Sequence, residues 1–185
     1  NQDYSPLAIS HDGSHVMFRM EDGQLGFQYW LLNPKPLREN ITSDGGWMIP
    51  QQGVSAKFSP DSNFVAVQEI SQLRIFMFSN YGQTGVSDSM TMQPVAEIKV
   101  QWLPYLDTPI MWSADSTTVT FQDSVGIWHW DIFEQSEPQL IISNHEELSL
   151  VDVSLSGRYI QYDIADTWML HDTHTTSTFE RAIAT

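Results

Sequence analysis

The chain repeats a unit in which a short apolar strand ends at a serine and is followed by a tight polar turn. The pattern occurs at residues 7–13, 56–62, 110–116 and 151–157. Its serines are Ser10, Ser59, Ser113 and Ser154. They are separated by 49, 54 and 41 residues, close to the period of about 40–50 residues that is typical of stacked supersecondary units.

Each turn is followed by more strand-like sequence. Apolar and polar residues alternate at residues 15–18, 64–67, 118–121 and 159–162. This alternation places one face of a strand inward. Aromatic and β-branched residues, which favour packed sheets, dominate residues 27–33, 73–79, 125–131 and 167–172. A fourth, outer strand is predicted near 37–42, 95–100, 139–142 and 177–183. We therefore predict four strands per unit and no helix longer than a turn or two.

Two of the serine turns carry a family resemblance. Residues 58–62 (Phe-Ser-Pro-Asp-Ser) and 112–116 (Trp-Ser-Ala-Asp-Ser) resemble the F/W-S-P-D-G turn of WD40-like propeller repeats. WD40 proteins, TolB-type propellers and the propeller domains of prolyl-oligopeptidase-type peptidases share this turn. Residues 127–131 resemble the strand-ending Trp-Asp of WD40 repeats. The resemblance covers nearly the whole chain and implies an all-β propeller.

The expected architecture is thus a single β-propeller region over residues 1–185. It would hold about four four-stranded antiparallel blades, at approximately 5–43, 53–101, 107–143 and 148–185. Propellers close into rings of typically four to eight blades. Four is the lower limit, so we expect the chain to be part of a larger propeller or to complete one with another chain.

Net charge and cysteine content limit the kinds of partner and site that are expected. The formal net charge is −15, from 8 Lys and Arg against 23 Asp and Glu. Such a chain repels phosphate backbones, so nucleic acid is not an expected partner, whereas a basic protein would be attracted. The chain has no Cys, which excludes disulfides and Cys-ligated zinc. No apolar run approaches a membrane span and no signal peptide is recognised, so membrane insertion is not expected and the compartment stays open.

The predicted contact surface lies in the connections between units. Segment 40–53 contains Trp47, and segment 101–108 contains Trp102, Pro104 and Tyr105. Long connections in a compact β-domain are often functional, and Trp and Tyr anchor interfaces. The alternative is that these aromatic residues fill the gaps between adjacent blades.

Catalytic, cofactor and metal sites are not predicted. His171, Asp172 and His174 form the most ligand-like cluster, but residues i and i+3 of a strand point to opposite faces. The repeated serines precede turns, where their hydroxyls are expected to bond the backbone rather than act as nucleophiles. No Gly-x-Ser-x-Gly elbow and no phosphate loop are present.

These observations favour a non-catalytic protein-interaction or scaffold module. Two alternatives remain: a propeller accessory to a hydrolase of the oligopeptidase type, and a sensor of a small ligand or cation. A protein partner, self-association and completion by further blades are all compatible with the pattern.

Overall fold

The structure is a computed structural model. It describes residues 4–13, 15–22, 26–32, 46–49, 53–69, 71–77, 94–102, 109–134, 137–143 and 147–181. These residues form sixteen β-strands and no helix, so no described segment is a helix long and apolar enough to cross a membrane. The strands form four-stranded antiparallel sheets, four in the described part of the chain. The all-β prediction is therefore confirmed.

The chain divides into two compact units, Asn1–Lys99 and Val100–Thr185. The first unit contains the first two sheets, which we call blades 1 and 2. Blade 1 consists of β1 (Tyr4–Ile9), β2 (Val16–Asp22), β3 (Gly26–Leu32) and β4 (Gly46–Ile49). Blade 2 consists of β5 (Gly53–Phe58), β6 (Phe64–Glu69), β7 (Gln72–Met77) and β8 (Ala96–Lys99).

The second unit contains blades 3 and 4. Blade 3 consists of β9 (Ile110–Trp112), β10 (Thr118–Gln122), β11 (Gly126–Asp131) and β12 (Gln139–Ser143). Blade 4 consists of β13 (Leu148–Val153), β14 (Tyr159–Ile164), β15 (Thr167–Asp172) and β16 (Ser177–Arg181). In every blade the strands follow one another in chain order, so each blade is a meander of hairpins.

The outer strand of blade 1 differs from the prediction. The expected strand at 37–42 lies outside the described residues, and the fourth strand is Gly46–Ile49, in the segment interpreted as a connection. Trp47 therefore belongs to a strand, where it lies opposite Leu31. The flanking turn residues Gly45 and Pro50 had suggested a loop, but the apolar run between them pairs with β3.

The repeated serines close the first hairpin of each blade, as expected. In all four turns the serine Oγ accepts a hydrogen bond of 2.9–3.0 Å from the backbone N–H five residues later. Ser10, Ser59 and Ser113 also donate from Oγ to an aspartate two residues later, over 2.6–2.7 Å. The third residue after each serine adopts a positive φ; these residues are Gly13, Ser62, Ser116 and Gly157. The hydroxyls are thus engaged in turn formation.

Within each unit, the first strand of the later blade packs on the face of the earlier one. In the first unit β5 contacts β1 and β3, and the Asp12 N–H donates to Ser62 Oγ over 3.1 Å. In the second unit β13 contacts β9 and β10. A core of Ile127, Leu148, Leu150, Ile160 and Tyr162 fills that second junction.

Candidate interaction surface

One end of the second unit is built from two connections that lie side by side. Strands alternate in direction within a blade, so the turn between the second and third strands lies at the end where the chain enters the blade. In blade 3 these two segments bond directly. The Ser124 N–H donates to the Gln101 carbonyl over 2.7 Å, and the Gln101 N–H donates to Asp123 Oδ2 over 3.3 Å. The entering segment is therefore fixed on the turn.

The carboxylate of Asp123 organises this end of blade 3. Its Oδ1 accepts hydrogen bonds from the Val125 N–H at 2.8 Å, the Gly126 N–H at 3.1 Å and the indole Nε1 of Trp128 at 2.8 Å. Asp123 is buried, so these donors replace the water that the carboxylate would otherwise bind. Asp123 therefore has a structural role: it holds the turn at 123–126 in shape, and this turn supports the segment that contains Trp102.

Gly126 shows how closely the strands pass beneath this turn. Its φ is +155°, and a Cβ placed there would clash with the Ile142 carbonyl oxygen. Only glycine therefore fits at the start of β11.

Trp102 lies half-buried on this base. Its ring meets the fully buried Phe121 edge to face, with centroids 6.0 Å apart, and Phe121 in turn stacks on Trp128 at 6.5 Å. The Trp102 Nε1 is buried and has no hydrogen-bond partner among the described residues. The indole is therefore held by blade 3, while part of the residue stays accessible.

The other residues predicted to form the contact surface are Pro104, Tyr105 and Trp47, and they do not lie with Trp102 among the described residues of blade 3. Pro104 and Tyr105 lie outside the described residues, so their assignment stays a prediction. Trp47 belongs to the first unit and Trp102 to the second. Their grouping into one contact surface also stays a prediction.

A counterpart of the Asp123 arrangement exists in blade 2. Glu69 holds the place of Asp123 at the end of the second strand, and Arg74 holds the place of Trp128 in the third. The Arg74 guanidinium lies 3.4 Å from Glu69 and 3.2 Å from Glu97. Burial raises the pKa of Glu69, and Arg74 opposes that rise. The repeated Gln-acid pairs, 68–69 and 122–123, were the sequence signal for these sites, and our sequence analysis missed it.

The ligand-like cluster of blade 4 separates in the structure. His171 Nδ1 lies 3.0 Å from Thr178 Oγ1 on one face, while Asp172 binds the guanidinium of Arg158 on the other. His174 contributes its backbone N–H to Asp172. Over the described part of the chain, no group of three or more His, Cys, Asp or Glu residues is arranged to hold a metal ion.

Solved propeller structures resemble this chain throughout its length. A protein named as a 6-phosphogluconolactonase from Bacteroides fragilis matches with a TM-score of 0.55 at 13% identity, covering 97% of this chain and 53% of its own. The C-terminal WD40 domain of Sif2 matches with a TM-score of 0.59 at 15% identity, covering 91% of this chain and 43% of its own.

A protein named as TolB from Agrobacterium tumefaciens gives a third match, with a TM-score of 0.52 at 14% identity, covering 99% of this chain and 63% of its own. The chain thus spans roughly half the length of these solved propellers. No family model and no curated protein matches the sequence. At these identities the likeness establishes the fold: the four sheets are blades of a WD40-like or TolB-like β-propeller.

Proposed function

We propose that this chain, an array of WD40-like and TolB-like propeller blades, is a non-catalytic module that binds a basic protein segment at the end of blade 3. The observation that carries the proposal is the environment of Trp102. Its indole is anchored on Phe121, and the residue remains partly accessible. Tryptophan in such a setting is the residue type that most often dominates binding energy at interfaces.

The rigidity of the supporting turn favours this role. Gln101, next to Trp102, is held through both its N–H and its carbonyl by the turn at Asp123 and Ser124. A preorganised anchor loses little conformational entropy when a partner binds. Trp102 therefore fits the role of a fixed anchor.

The net charge supports the chemistry of the partner. At −15 the chain attracts segments rich in Lys and Arg, and such steering weakens as salt rises. A partner that packs on the accessible part of Trp102 and places positive charge around it would match both features.

Selection from a displayed library of short random peptides tests the proposal. We expect enrichment of basic sequences whose affinity falls with increasing salt. In the Trp102→Phe variant the aromatic packing on Phe121 is kept and part of the indole surface is lost, so affinity should fall about three- to tenfold. Trp102→Ser should reduce affinity more than tenfold. Leu155→Gln, at an exposed turn of blade 4, is the control and should bind as the native chain does.

Two results would overturn the proposal. One is a selection that enriches no sequence; the other is a set of enriched peptides that bind Trp102→Ser as tightly as the native chain. Thermal melting of each variant first establishes that it is folded. Because one solved neighbour is named as a lactonase, hydrolysis of 6-phosphogluconolactone by the purified chain would contradict the non-catalytic part of the proposal.

A further inference from the structure

Glu147 holds a backbone conformation that the surrounding turn chemistry does not explain. Its φ is +67°, in the left-handed region that glycine adopts freely and other residues adopt at a cost. Five other non-glycine residues among those described have a positive φ, and all five lie in hairpin turns within a blade: Ser62, Ser116, Ala165, Asp166 and Thr176. Glu147 instead ends the connection that leads from β12 into β13.

The side chain of Glu147 makes no internal contact that offsets this cost. The residue is exposed, and its carboxylate forms no hydrogen bond or ion pair with any residue that the structure describes. Residues held in rarely populated backbone conformations are found most often where a protein contacts a ligand. The role of Glu147 is therefore sought in what the chain binds.

The position of Glu147 is fixed by the residue that follows it. The side-chain amide of Gln122 donates from Nε2 to the Leu148 carbonyl over 2.7 Å and accepts the Leu150 N–H over 2.7 Å. Gln122 ends β10, so the start of β13 is held at the end of blade 3 that contains the turn at 123–126. Glu147 immediately precedes β13 and lies at this end.

Trp102 lies at the same end of blade 3 but on its other face. Its ring packs on Phe121, and neighbouring strand residues such as Phe121 and Gln122 direct their side chains to opposite faces. Stacked sheets lie about 10 Å apart, so Trp102 and Glu147 are separated by roughly 10–15 Å across the edge of the blade. An extended segment of about three to five residues covers this distance, at roughly 3.3 Å per residue.

The edge that such a segment would cross is apolar and accessible. Val125, in the turn between β10 and β11, is 40% exposed. Its N–H donates to Asp123 Oδ1 over 2.8 Å, so this turn is held in place. A segment that crosses the edge therefore meets Trp102, Val125 and the end of the chain that carries Glu147.

The charge at this end of the second unit favours a basic segment. Arg158 is the one Lys or Arg of this unit whose side chain the structure describes; it precedes β14 at the opposite end and is bound to Asp172. Asp166, exposed in the turn between β14 and β15, adds negative charge to the end that holds Glu147. A Lys or Arg placed beside Glu147 would meet an unneutralised carboxylate.

We propose that Glu147 determines specificity at the surface around Trp102: it pairs with a Lys or Arg that the bound segment carries about three to five residues from the residue packed on Trp102. This inference rests on the proposed function, because Trp102 supplies the anchor. Glu147 then selects where along the segment the positive charge lies. The strained backbone is the cost of holding the carboxylate at that place.

Parallel selection from a displayed library of short random peptides tests this role. Native chain should enrich peptides with Lys or Arg at one fixed spacing from a common apolar residue, and Glu147→Gln should lose that spacing preference. Peptides selected on the native chain should bind Glu147→Gln about three- to tenfold more weakly and with a smaller dependence on salt. Glu134→Gln makes the same charge change at the opposite end of blade 3, where Glu134 is exposed, and should select and bind as the native chain does.

The outcomes separate this inference from the proposed function. Peptides that need Trp102 but bind Glu147→Gln as tightly as the native chain, with the same salt dependence, overturn the role of Glu147 alone. Peptides that bind Trp102→Ser as tightly as the native chain overturn the proposed function and this inference with it.

Urea denaturation gives a readout that needs no partner. At a left-handed position Glu147→Gly should have a higher urea midpoint than Glu147→Ala, although alanine is ordinarily the more stabilising residue of the two. A glycine variant that is at least as stable as the native chain and binds the selected peptides more weakly would support a residue that acts in binding at a cost in stability. An alanine variant more stable than the glycine variant would overturn the strained conformation from which the inference starts.

Discussion

Arg158 and Asp172 form two parallel hydrogen bonds across blade 4, with Nε 3.0 Å from Oδ1 and Nη2 2.7 Å from Oδ2. Arg158 immediately precedes β14, and Asp172 ends β15, so the pair ties the start of one strand to the end of its neighbour. Asp172 also accepts the His174 N–H over 3.0 Å. Paired forks of this kind are the strongest ion-pair geometry available to side chains.

The first prediction concerns this pair. Arg158 holds the pKa of Asp172 well below its ordinary value of 3.8. The lowered pKa means that the pair contributes stability above that ordinary value, and the contribution disappears as pH falls through the folded pKa. Asp172→Asn should therefore lower the melting temperature at neutral pH, and the deficit should shrink as the pH is taken below about 4.

Melting curves of native and variant chains across this pH range provide the measurement. Asp166→Asn, which changes an exposed carboxylate in the turn between β14 and β15, is the matched control and should leave the melting temperature at neutral pH unchanged. A deficit for Asp172→Asn that is the same size in acid as at neutral pH would contradict the assignment.

The second prediction concerns the one serine turn that lacks an aspartate. In blade 4 Ser156 stands two residues after Ser154, with the two hydroxyl oxygens 3.3 Å apart. In blade 3 the aspartate at this position binds both Ser113 Oγ and the Thr117 N–H. Ser156 Oγ also accepts the Arg158 N–H, at 3.4 Å, so both contacts of the blade 3 turn exist in blade 4 in a longer form. Ser156→Asp should shorten both and raise the free energy of unfolding by about 0.5–1 kcal/mol.

Urea denaturation of native and Ser156→Asp chains measures this change. The reverse substitution in another blade, Asp115→Ser, should lower stability by a similar amount, because it lengthens the same two contacts in the blade 3 turn. If Ser156→Asp destabilises the chain, the turn of blade 4 does not share the geometry of the others.

The third prediction concerns His129, which lies within blade 3 with Nδ1 3.0 Å from Thr120 Oγ1. Burial lowers its pKa, and the nearby Asp131 opposes the shift only in part. The unfolded chain therefore takes up a proton before the folded one does, and stability should fall as pH drops through about 6.5.

In His129→Gln, the loss of stability between about pH 7.5 and pH 5.5 should be smaller than in the native chain. A residual slope is expected from His15 and His171, whose pKa values are also lowered by burial. An unchanged slope in His129→Gln would show that His129 does not titrate differently on folding.

Local sequence was enough to predict the blades but not their junctions. The serine turns were predictable because donor, acceptor and left-handed residue lie within five positions of one another, as at Ser59 and Phe64. Gln122 was not, because its partners belong to the backbone of the next blade. Periodicity also could not place β4, where a short apolar run between turn residues pairs with a distant strand.

The same reasoning applies to the predicted surface. An aromatic residue in a connection between strands either binds a partner or packs between adjacent blades. Only the residues that surround it in the structure distinguish these two roles. Trp102 proves to be held on Phe121 while remaining partly accessible, a combination that depends on the anchoring of Gln101 by Asp123. Composition gave no information on that anchoring.

The last prediction concerns Gln122, whose side chain joins blades 3 and 4. Gln122 is buried and satisfies the Leu148 carbonyl and the Leu150 N–H, so Gln122→Ala leaves both backbone groups buried without partners. Each such group costs about 1–3 kcal/mol, and we expect a total loss of about 2–4 kcal/mol in urea denaturation. Gln122→Glu keeps the acceptor for Leu150 but places a buried carboxylate oxygen against the Leu148 carbonyl, so its loss at neutral pH should be at least as large as that of Gln122→Ala. Gln139→Ala, at an exposed position of β12, should change stability by less than about 0.5 kcal/mol. A loss for Gln122→Ala no larger than that of this control would mean that packing around Ile127 alone holds the two blades together.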